Sequence, residues 1–193
     1  MSYRTQVKRS MDAIVSAVLL ALISVPLIVA MLMILVSSPG PVFFVQSRLG
    51  ASRRPFRILK LRSMTVDPGR TLTQTMNSNP EVFLIGKFLR RFKIDELPQL
   101  FNVLKGDMSL VGPRPCLEET LAGMPEWAQR RFEVRPGLTG LAQVNGNVAL
   151  SWEERWRHDV DYVQKLNFAL DMKIMAKTLL VLVWGESRYR NSQ

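Results

Sequence analysis

Cysteine and histidine are nearly absent from this 193-residue sequence, which contains only Cys116 and His158. A single cysteine cannot form an internal disulfide, and one histidine with one cysteine falls short of the ligand set of a zinc site. The chain also lacks a Walker loop, a dinucleotide-binding fingerprint and internal repeats. These absences exclude a disulfide-stabilised domain and a zinc module, and the cysteine usage fits a reducing compartment.

Acidic residues are fewer than basic ones, with 16 Asp and Glu against 26 Lys and Arg and a formal net charge of +10. Such an excess indicates an anionic partner. Composition alone leaves that partner open among nucleic acid, anionic lipid headgroups and phosphorylated substrates. The length suits one domain with an added membrane element.

Charged side chains are missing altogether from 13–36, a run that as a helix can cross a bilayer core of about 30 Å. The run exceeds the roughly 7 to 15 apolar residues of a signal peptide, so we expect a retained anchor. One alternative is a spanning helix kinked at Pro26. The other is a re-entrant hairpin, favoured because Pro26 frees a backbone carbonyl near Ser24 and because basic residues flank both ends. Those basic residues are Arg4, Lys8, Arg9, Arg48, Arg53 and Arg54.

An adjacent carboxylate pair, Asp95 and Glu96, stands at the centre of the chain. Apolar residues at i, i+3, i+4 and i+7 from Leu97 predict a short helix that starts at the pair and ends near Gly106. Acids at a helix start often serve only as caps. Two adjacent carboxylates can also divide the work of phosphoryl transfer, one attacking phosphorus and the other holding Mg²⁺. The pair alone leaves both alternatives open.

Cationic residues surround this pair in the sequence. Lys87, Arg90, Arg91 and Lys93 precede it, and Arg114 follows between two prolines that restrict its backbone. The free N–H groups of a helix start add to the attraction for a phosphate. Carboxylates next to several cations predict a site for a doubly anionic phosphate substrate and a divalent metal.

Two segments upstream of the pair have clear patterns. Phe56–Met64 predicts a strand with a cationic face that includes Lys60 and Arg62, and this face can be solvated or can bind phosphate. Residues 65–80 are polar and predict a loop, and Glu81–Phe92 predicts a helix.

The last third of the chain predicts a connector and two helices. Arg135–Gly140 is rich in turn formers, and its glycines allow close backbone approach. Ser151 and Glu154 form a capping box before a helix whose tryptophan-containing stripe fits either the core or, as we favour, the membrane interface. Asp171–Trp184 predicts a final helix too short to span, either interfacial or buried.

Five motifs stand in order along the chain. They are Lys8-Arg9 with Asp12, Phe56–Met64 (FRILKLRSM), Asp95–Ser109 (DELPQLFNVLKGDMS), Gly112–Pro115 (GPRP) and Arg135–Gly146 (RPGLTGLAQVNG). Together they resemble the bacterial sugar transferases, the small monotopic phosphoglycosyl transferases that start lipid-linked glycan assembly. The resemblance extends from about Lys8 to about Ile174.

The resemblance implies an α+β fold, mostly helical, with a re-entrant anchor over 1–38 and a catalytic domain with interfacial helices over 39–193. It implies a monotopic protein of the bacterial inner membrane whose active site faces the cytoplasm. The family commonly has adjacent Ser-Pro at the membrane break, whereas Val25 separates Ser24 from Pro26 here. Membrane lipids are expected partners, nucleic acid is not, and a homo-oligomer is left open.

The implied reaction transfers a sugar-1-phosphate from a UDP-sugar to polyprenyl phosphate, expected to be undecaprenyl phosphate, and releases UMP. By resemblance, Asp95 is the nucleophile and Glu96 holds Mg²⁺. The residues expected to bind substrate are Lys60, Arg62, Arg90, Arg91, Arg114, Arg135, Gln143 and Asn145. Two alternatives are a hydrolase that passes the same intermediate to water and a non-catalytic basic membrane protein that binds anionic lipid or nucleic acid. The sequence does not identify the sugar or the glycan pathway.

Overall fold

A computed structural model describes residues 3–65 and 81–184. The α-helices are α1 (Lys8–Ser37), α2 (Leu84–Arg91), α3 (Gln99–Lys105), α4 (Leu141–Val144), α5 (Trp152–Lys165) and α6 (Phe168–Trp184). The strands are β1 (Phe43–Leu49), β2 (Pro55–Leu61), β3 (Ser109–Val111) and β4 (Gly137–Thr139). The predicted α+β class with a helical majority is confirmed. The loop predicted over 65–80 lies, from residue 66 onward, outside the described residues.

The long helix α1 has 30 residues and contains Pro26. By length and composition it is the one described helix that could cross a membrane. Buried positions recur at helical spacing along its length, so one face contacts the rest of the protein while much of the other is apolar and exposed. The buried positions are Lys8, Asp12, Ser16, Leu27, Ala30 and Ile34. The predicted hairpin does not appear as an interruption of α1 and stays a prediction.

The strands form two separate pairs. β1 and β2 make an antiparallel hairpin, with Phe43 opposite Leu61, and β3 and β4 make a short parallel pair. In the parallel pair the two backbone segments approach closely. A Cβ on Gly137 would lie only 2.1 Å from the backbone nitrogen of Gly112. Glycine is therefore needed at this contact, as the turn-rich connector predicted. Through this contact, the connector packs directly against the start of the GPRP turn.

The core consists of three apolar clusters, of which the central one joins α3, α5, α6 and β3 and also contacts α1. Its members include Leu100, Val103, Met108, Tyr162 and Ile174. In α5, Trp156, Val160 and Val163 are buried. The stripe of α5 therefore packs in the core, which corrects the interfacial preference, although Trp152 remains 45% exposed.

Other predicted elements differ mainly in their bounds. A 3-10 helix, Glu126–Glu133, precedes the connector. The capping box of α5 is confirmed, since Ser151 and Glu154 exchange side-chain to backbone hydrogen bonds. α6 is buried only in its first half, at Asp171 and Ile174.

Candidate active site

The carboxylate pair lies in a 3-10 turn, Ile94–Glu96, between α2 and α3. Lys93 enters this turn with a left-handed φ of 57°, so the chain changes direction sharply after α2. Pro98 follows at the start of α3, where a backbone N–H is not needed, and Gly106 ends α3 with φ of 96°. The predicted end of the short helix is confirmed, whereas its start is corrected, because α3 begins at Gln99 and the pair lies in a separate turn before it.

Glu96 is held by two cations from distant parts of the chain. Lys60 Nζ donates to Oε1 at 2.8 Å, Arg114 Nη2 donates to Oε1 at 2.6 Å, and Arg114 Nη1 donates to Oε2 at 3.3 Å. Burial by itself would raise the pKa of Glu96, but Arg114 and Lys60 outweigh burial and hold that pKa well below its usual range. Glu96 is thus an ionised carboxylate engaged by side-chain cations, and the capping alternative does not describe it.

The strand β2 explains how Lys60 reaches Glu96. Phe56, Ile58 and Lys60 alternate at period two and share one face, and the first two are core residues. Lys60 therefore faces the protein interior, on the opposite face from Arg57, which is exposed. The sequence analysis correctly placed Lys60 near the pair but wrongly grouped it with a single cationic face. Burial lowers the pKa of Lys60, and Glu96 opposes that shift.

Asp95 lies in a different electrostatic environment from its neighbour. Its side chain is buried, and burial together with the charge of Glu96 raises the pKa of Asp95, while Lys60 and Arg90 act in the opposite direction. Asp95 is therefore the more basic carboxylate of the two, which suits a nucleophile, and Glu96 is the more acidic, which suits a metal ligand.

Arg90 is the third cation that the structure brings to the pair. Its Nε donates to Ser63 Oγ at 2.8 Å. Burial lowers the pKa of Arg90, and the carboxylates of Asp95 and Glu96 oppose this shift. Lys60, Arg90 and Arg114 thus lie around the dyad, and their expected binding of substrate stays a prediction.

Two other predicted substrate cations lie elsewhere. Arg62 is buried, and its two Nη atoms donate to the carbonyls of Ser38 and Pro39 just after α1. A cation is favourable at a helix C-terminus, so Arg62 has a structural role that corrects the expected substrate contact. Arg91 is exposed, with its guanidinium 5.7 Å from the centre of the Phe92 ring.

The connector residues do not touch the dyad. Arg135 is exposed, and Asn145 Oδ1 accepts a hydrogen bond from Lys177 Nζ at 3.3 Å. The amide of Gln143 is buried and has no hydrogen-bond partner among the residues that the structure describes. Across the described ranges, no hydrogen bond or ion pair joins these three side chains to Asp95 or Glu96. The segment that contains these residues includes β4, and β4 pairs with β3, the strand that leads into the GPRP turn.

Two functional candidates, Arg131 and Asp159, were not singled out by any pattern in the sequence. Arg131 Nη2 donates to the carbonyl of Arg114 at 2.5 Å and lies 2.9 Å from Asp159 Oδ2. Only the tertiary structure brings these residues together, because no sequence spacing relates Arg131 to Arg114 or to Asp159.

The residues present fit Mg²⁺. Within residues 3–65 and 81–184, no three His, Cys, Asp or Glu side chains come together as a metal cage. Mg²⁺ needs no such cage, because it is usually held by one or two carboxylates with water and substrate phosphates. Ionised Glu96 supplies such a carboxylate, and its Oε2 accepts only one longer bond from the described residues, at 3.3 Å from Arg114.

Comparison with known proteins identifies similar sugar transferases. Uncharacterized sugar transferase EpsL of Bacillus subtilis is 42% identical over 179 residues, covering 93% of this chain and 88% of the relative. The UDP-glucose:undecaprenyl-phosphate glucose-1-phosphate transferase of Caulobacter vibrioides is 42% identical over 192 residues, covering 94% and 72%. A UDP-N-acetylgalactosamine-undecaprenyl-phosphate N-acetylgalactosaminephosphotransferase of Aeromonas hydrophila is 37% identical over 187 residues, covering 93% and 44%.

The family comparison covers nearly the whole chain. A family model described as bacterial sugar transferase matches residues 3–185, which include every motif that carried the resemblance. The relatives act on different sugars, so their names agree on the type of transfer and differ in the donor. With the match covering the anchor helix, the dyad and the GPRP turn together, this chain belongs to the bacterial sugar transferase family.

Proposed function

We propose that this protein transfers a sugar-1-phosphate from a UDP-sugar to polyprenyl phosphate, with undecaprenyl phosphate as the acceptor, and releases UMP. The observation that carries the proposal is the dyad itself, in which buried Asp95 adjoins Glu96 and Glu96 is held by Lys60 and Arg114. The relatives named as sugar-phosphate transferases support the same reaction type. The product would be the first lipid-linked intermediate of a bacterial glycan.

The chemistry assigned to Asp95 is nucleophilic. Its carboxylate oxygen attacks the phosphorus that carries the sugar, the bond from that phosphorus to the bridging oxygen breaks, and the electron pair leaves with UMP. A phosphate oxygen of the polyprenyl acceptor then attacks the same phosphorus. This second step forms the diphosphate product and returns the carboxylate of Asp95.

The surrounding charges serve positioning and charge neutralisation, which dominate phosphoryl transfer. Lys60, Arg90 and Arg114 neutralise the diphosphate and the departing UMP. Glu96 would hold Mg²⁺, which when bound supplies further charge neutralisation to the phosphate oxygens. Fixed cations at a buried site act at short range without reorganising, and for this reason they stabilise the developing charge strongly.

The anchor helix supports a re-entrant arrangement, because both of its ends contact the same domain. Near its start, Asp12 Oδ2 accepts a hydrogen bond from Ser109 Oγ at 2.7 Å, and just after its end Arg62 Nη2 donates to the carbonyl of Ser38 at 2.5 Å. A straight crossing would place about 30 Å of hydrocarbon between these two ends. Contacts of both ends with one domain favour a helix that bends and returns to the same side.

The bend is proposed at Ser24 and Pro26, where Ser24 Oγ donates to the carbonyl of Ala21 at 2.8 Å. Residues 1–38 then form the anchor, and 39–193 stay on the cytoplasmic face of the inner membrane. A cysteine at exposed Gln6, in a Cys116→Ala background, should resist a membrane-impermeant maleimide in spheroplasts. Adding Pro26→Ala should increase labelling if Pro26 holds the bend. Labelling without that change would overturn the re-entrant arrangement.

The last helix supports contact with lipid at the interface. The second half of α6, which follows the buried Ile174, exposes a large apolar surface. Its most exposed apolar residues are Leu179, Val183 and Trp184. Lys173, exposed near the start of α6, is placed to meet anionic headgroups. The acceptor chain cannot leave the bilayer without exposing methylenes at about 0.8 kcal/mol each, so the site has to work at the lipid surface.

The test of the reaction is intact-protein mass spectrometry. Enzyme in nanodiscs is incubated with Mg²⁺ and a panel of UDP-sugars without acceptor, and a mass increase of one sugar phosphate is expected. Asp95→Asn should abolish the increase, while Asp161→Asn, at a partly exposed position, should keep it. Turnover with polyprenyl phosphate but no adduct under any condition would remove Asp95 as the nucleophile. Absence of both turnover and adduct would reject the proposed function.

A further inference from the structure

Arg114 meets Glu96 through two parallel bonds, and such a contact depends on where the main chain of Arg114 lies. The Nη2–Oε1 and Nη1–Oε2 distances are 2.6 Å and 3.3 Å. A planar guanidinium pairs with a carboxylate in this way only within a narrow range of angles. The side chain of Arg114 is 41% exposed, so surrounding side chains alone do not fix its direction.

The main chain of Arg114 is held by a buried ion pair that does not include either dyad carboxylate. Arg131 Nη2 donates to the Arg114 carbonyl at 2.5 Å and lies 2.9 Å from Asp159 Oδ2. The side chains of Arg131 and Asp159 are 5% and 4% exposed. Next to this contact, the Leu49 backbone N–H donates to the carbonyl of Cys116 at 3.0 Å. One buried guanidinium thus connects the 3-10 helix Glu126–Glu133 and α5 to the GPRP turn.

This pair is a poor arrangement for stability alone. Within the described residues, Nε and Nη1 of Arg131 are buried without a hydrogen-bond partner. Buried ion pairs often contribute no more stability than well-packed apolar residues, because both charges lose their hydration. A charged pair at this position therefore calls for a role that apolar packing would not provide. Holding the carbonyl of Arg114 in place is such a role, because an apolar side chain cannot donate a hydrogen bond to it.

We propose that Arg131 and Asp159 are positioning residues for the transfer reaction. Asp159 orients the guanidinium of Arg131, Arg131 fixes the carbonyl of Arg114, and the fixed backbone sets the angle at which Arg114 meets Glu96. Neither Arg131 nor Asp159 contacts the dyad in this scheme. The inference rests on the proposed function, and it adds two residues that act through Arg114.

The decisive variant replaces both charges at once. Arg131→Met with Asp159→Leu leaves no single charge buried, so the protein should fold with a melting temperature near that of the unmodified protein. With the carbonyl of Arg114 released, we expect kcat to fall at least tenfold and the Mg²⁺ concentration for half-maximal activity to rise at least threefold. The KM for polyprenyl phosphate should change less than twofold, because both replaced side chains are buried and do not reach a surface where the acceptor could bind.

A matched control lies on the same helix. Asp161→Asn breaks the exposed i,i+4 pair of Asp161 with Lys165, whose Nζ–Oδ1 distance is 2.5 Å, and should leave kcat and the Mg²⁺ midpoint unchanged. Arg131→Lys keeps a charge beside Asp159 but loses the planar fork, so it should fold and still show a reduced kcat. These three variants are measured in nanodiscs as the full chain.

Turnover by the unmodified protein in the same assay distinguishes a failure of the positioning role from a failure of the proposed function. If that protein is active and the folded double variant keeps its kcat and Mg²⁺ midpoint, the positioning role is overturned while the proposed function stands. If the unmodified protein is inactive, a crystal structure of the double variant decides the inference. Arg114 displaced from Glu96 supports the positioning role, and Arg114 still paired at the original distances overturns it.

Discussion

Lys60 Nζ and Arg114 Nη2 approach the same oxygen of Glu96, Oε1, at 2.8 Å and 2.6 Å. Lys60 comes from an interior-facing position of β2 and Arg114 from the GPRP turn, so a hairpin and a turn distant in sequence meet at one carboxylate. The result is an ionised acid beside a more basic one, the division of labour that a nucleophile and a metal ligand require.

Arg114→Lys should lower kcat by about 10- to 100-fold, because a charge-assisted hydrogen bond contributes about 1.5 to 3 kcal/mol and lysine cannot form the paired contact. Steady-state turnover with a UDP-sugar and polyprenyl phosphate measures the effect. Arg130→Lys is the control, since Arg130 is exposed and forms an ion pair with exposed Glu133. Equal turnover of both variants would show that the two-bond contact with Glu96 is dispensable.

Asp159 should make the protein less stable as pH rises from about 4 to 6. Burial raises the pKa of Asp159 to about 6 from 3.8, although Arg131 opposes the shift. Between these values the folded protein holds a proton that the unfolded chain has lost, so the free energy of unfolding falls with pH and levels off above pH 6. At about 1.4 kcal/mol per pKa unit, the loss is about 3 kcal/mol.

The measurement is the difference in unfolding free energy between the unmodified protein and Asp159→Asn at several pH values. Subtracting the variant removes the contributions of the other carboxylates, which both proteins share. A difference that stays constant from pH 4 to 7 would contradict the raised pKa.

The N-terminal end of α1 should depend on a second buried ion pair. Lys8 Nζ lies 2.6 Å from Asp171 Oδ2, and Asp171 also accepts hydrogen bonds from Tyr3 and Tyr162. Lys8→Met leaves Asp171 buried without its cation, and removing one partner of a buried pair costs about 3 to 5 kcal/mol. Thermal unfolding in nanodiscs should show a clear decrease in melting temperature.

An exposed pair provides the comparison for Lys8. Arg157 and Glu153 form an i,i+4 pair with side chains 71% and 62% exposed, and Arg157→Met should change stability by no more than about 1 kcal/mol. A similar decrease in both variants would indicate that the Lys8 contact is no stronger than a surface pair.

Gly137→Ala should disrupt the contact between β3 and β4 and reduce both stability and turnover. The added Cβ would lie 2.1 Å from the backbone nitrogen of Gly112, too close for either chain to remain in place. Gly123→Ala is the matched control, because a Cβ there would meet no atom within 4 Å. Circular dichroism melting and turnover compare the two, and a normal Gly137→Ala protein would refute the close contact.

Local patterns predicted much of the fold. The charge-free run gave α1, the stripe from Leu97 with Gly106 gave α3, and Ser151 with Glu154 gave the start of α5. These features depend on residues within one or two turns of each other, and short-range rules describe them well. The stripe of α5 was assigned to the wrong environment, because apolar spacing is the same for a core and for a membrane interface.

For the predicted site, the structure shows where the side chains lie, and their roles stay predictions. Lys60, Arg90 and Arg114 were recognised as cations near the dyad, and the structure places them there. Arg62 has the same charge and lies two residues from Lys60, but the end of α1 takes up its guanidinium. Sequence distance could not separate these two roles, since the partner of each side chain comes from a different part of the chain.

The sequence by itself determined the long helices, the apolar character of α1, the position of Asp95 and Glu96 just before a short helix, and the motifs of the family. Only the tertiary structure decided which cations reach Glu96, which carboxylate is the more acidic, and that Arg131 and Asp159 hold the backbone of Arg114. The reason is physical. Secondary structure follows from neighbours along the chain, whereas pKa values and hydrogen-bond partners follow from burial and from charges that folding brings together.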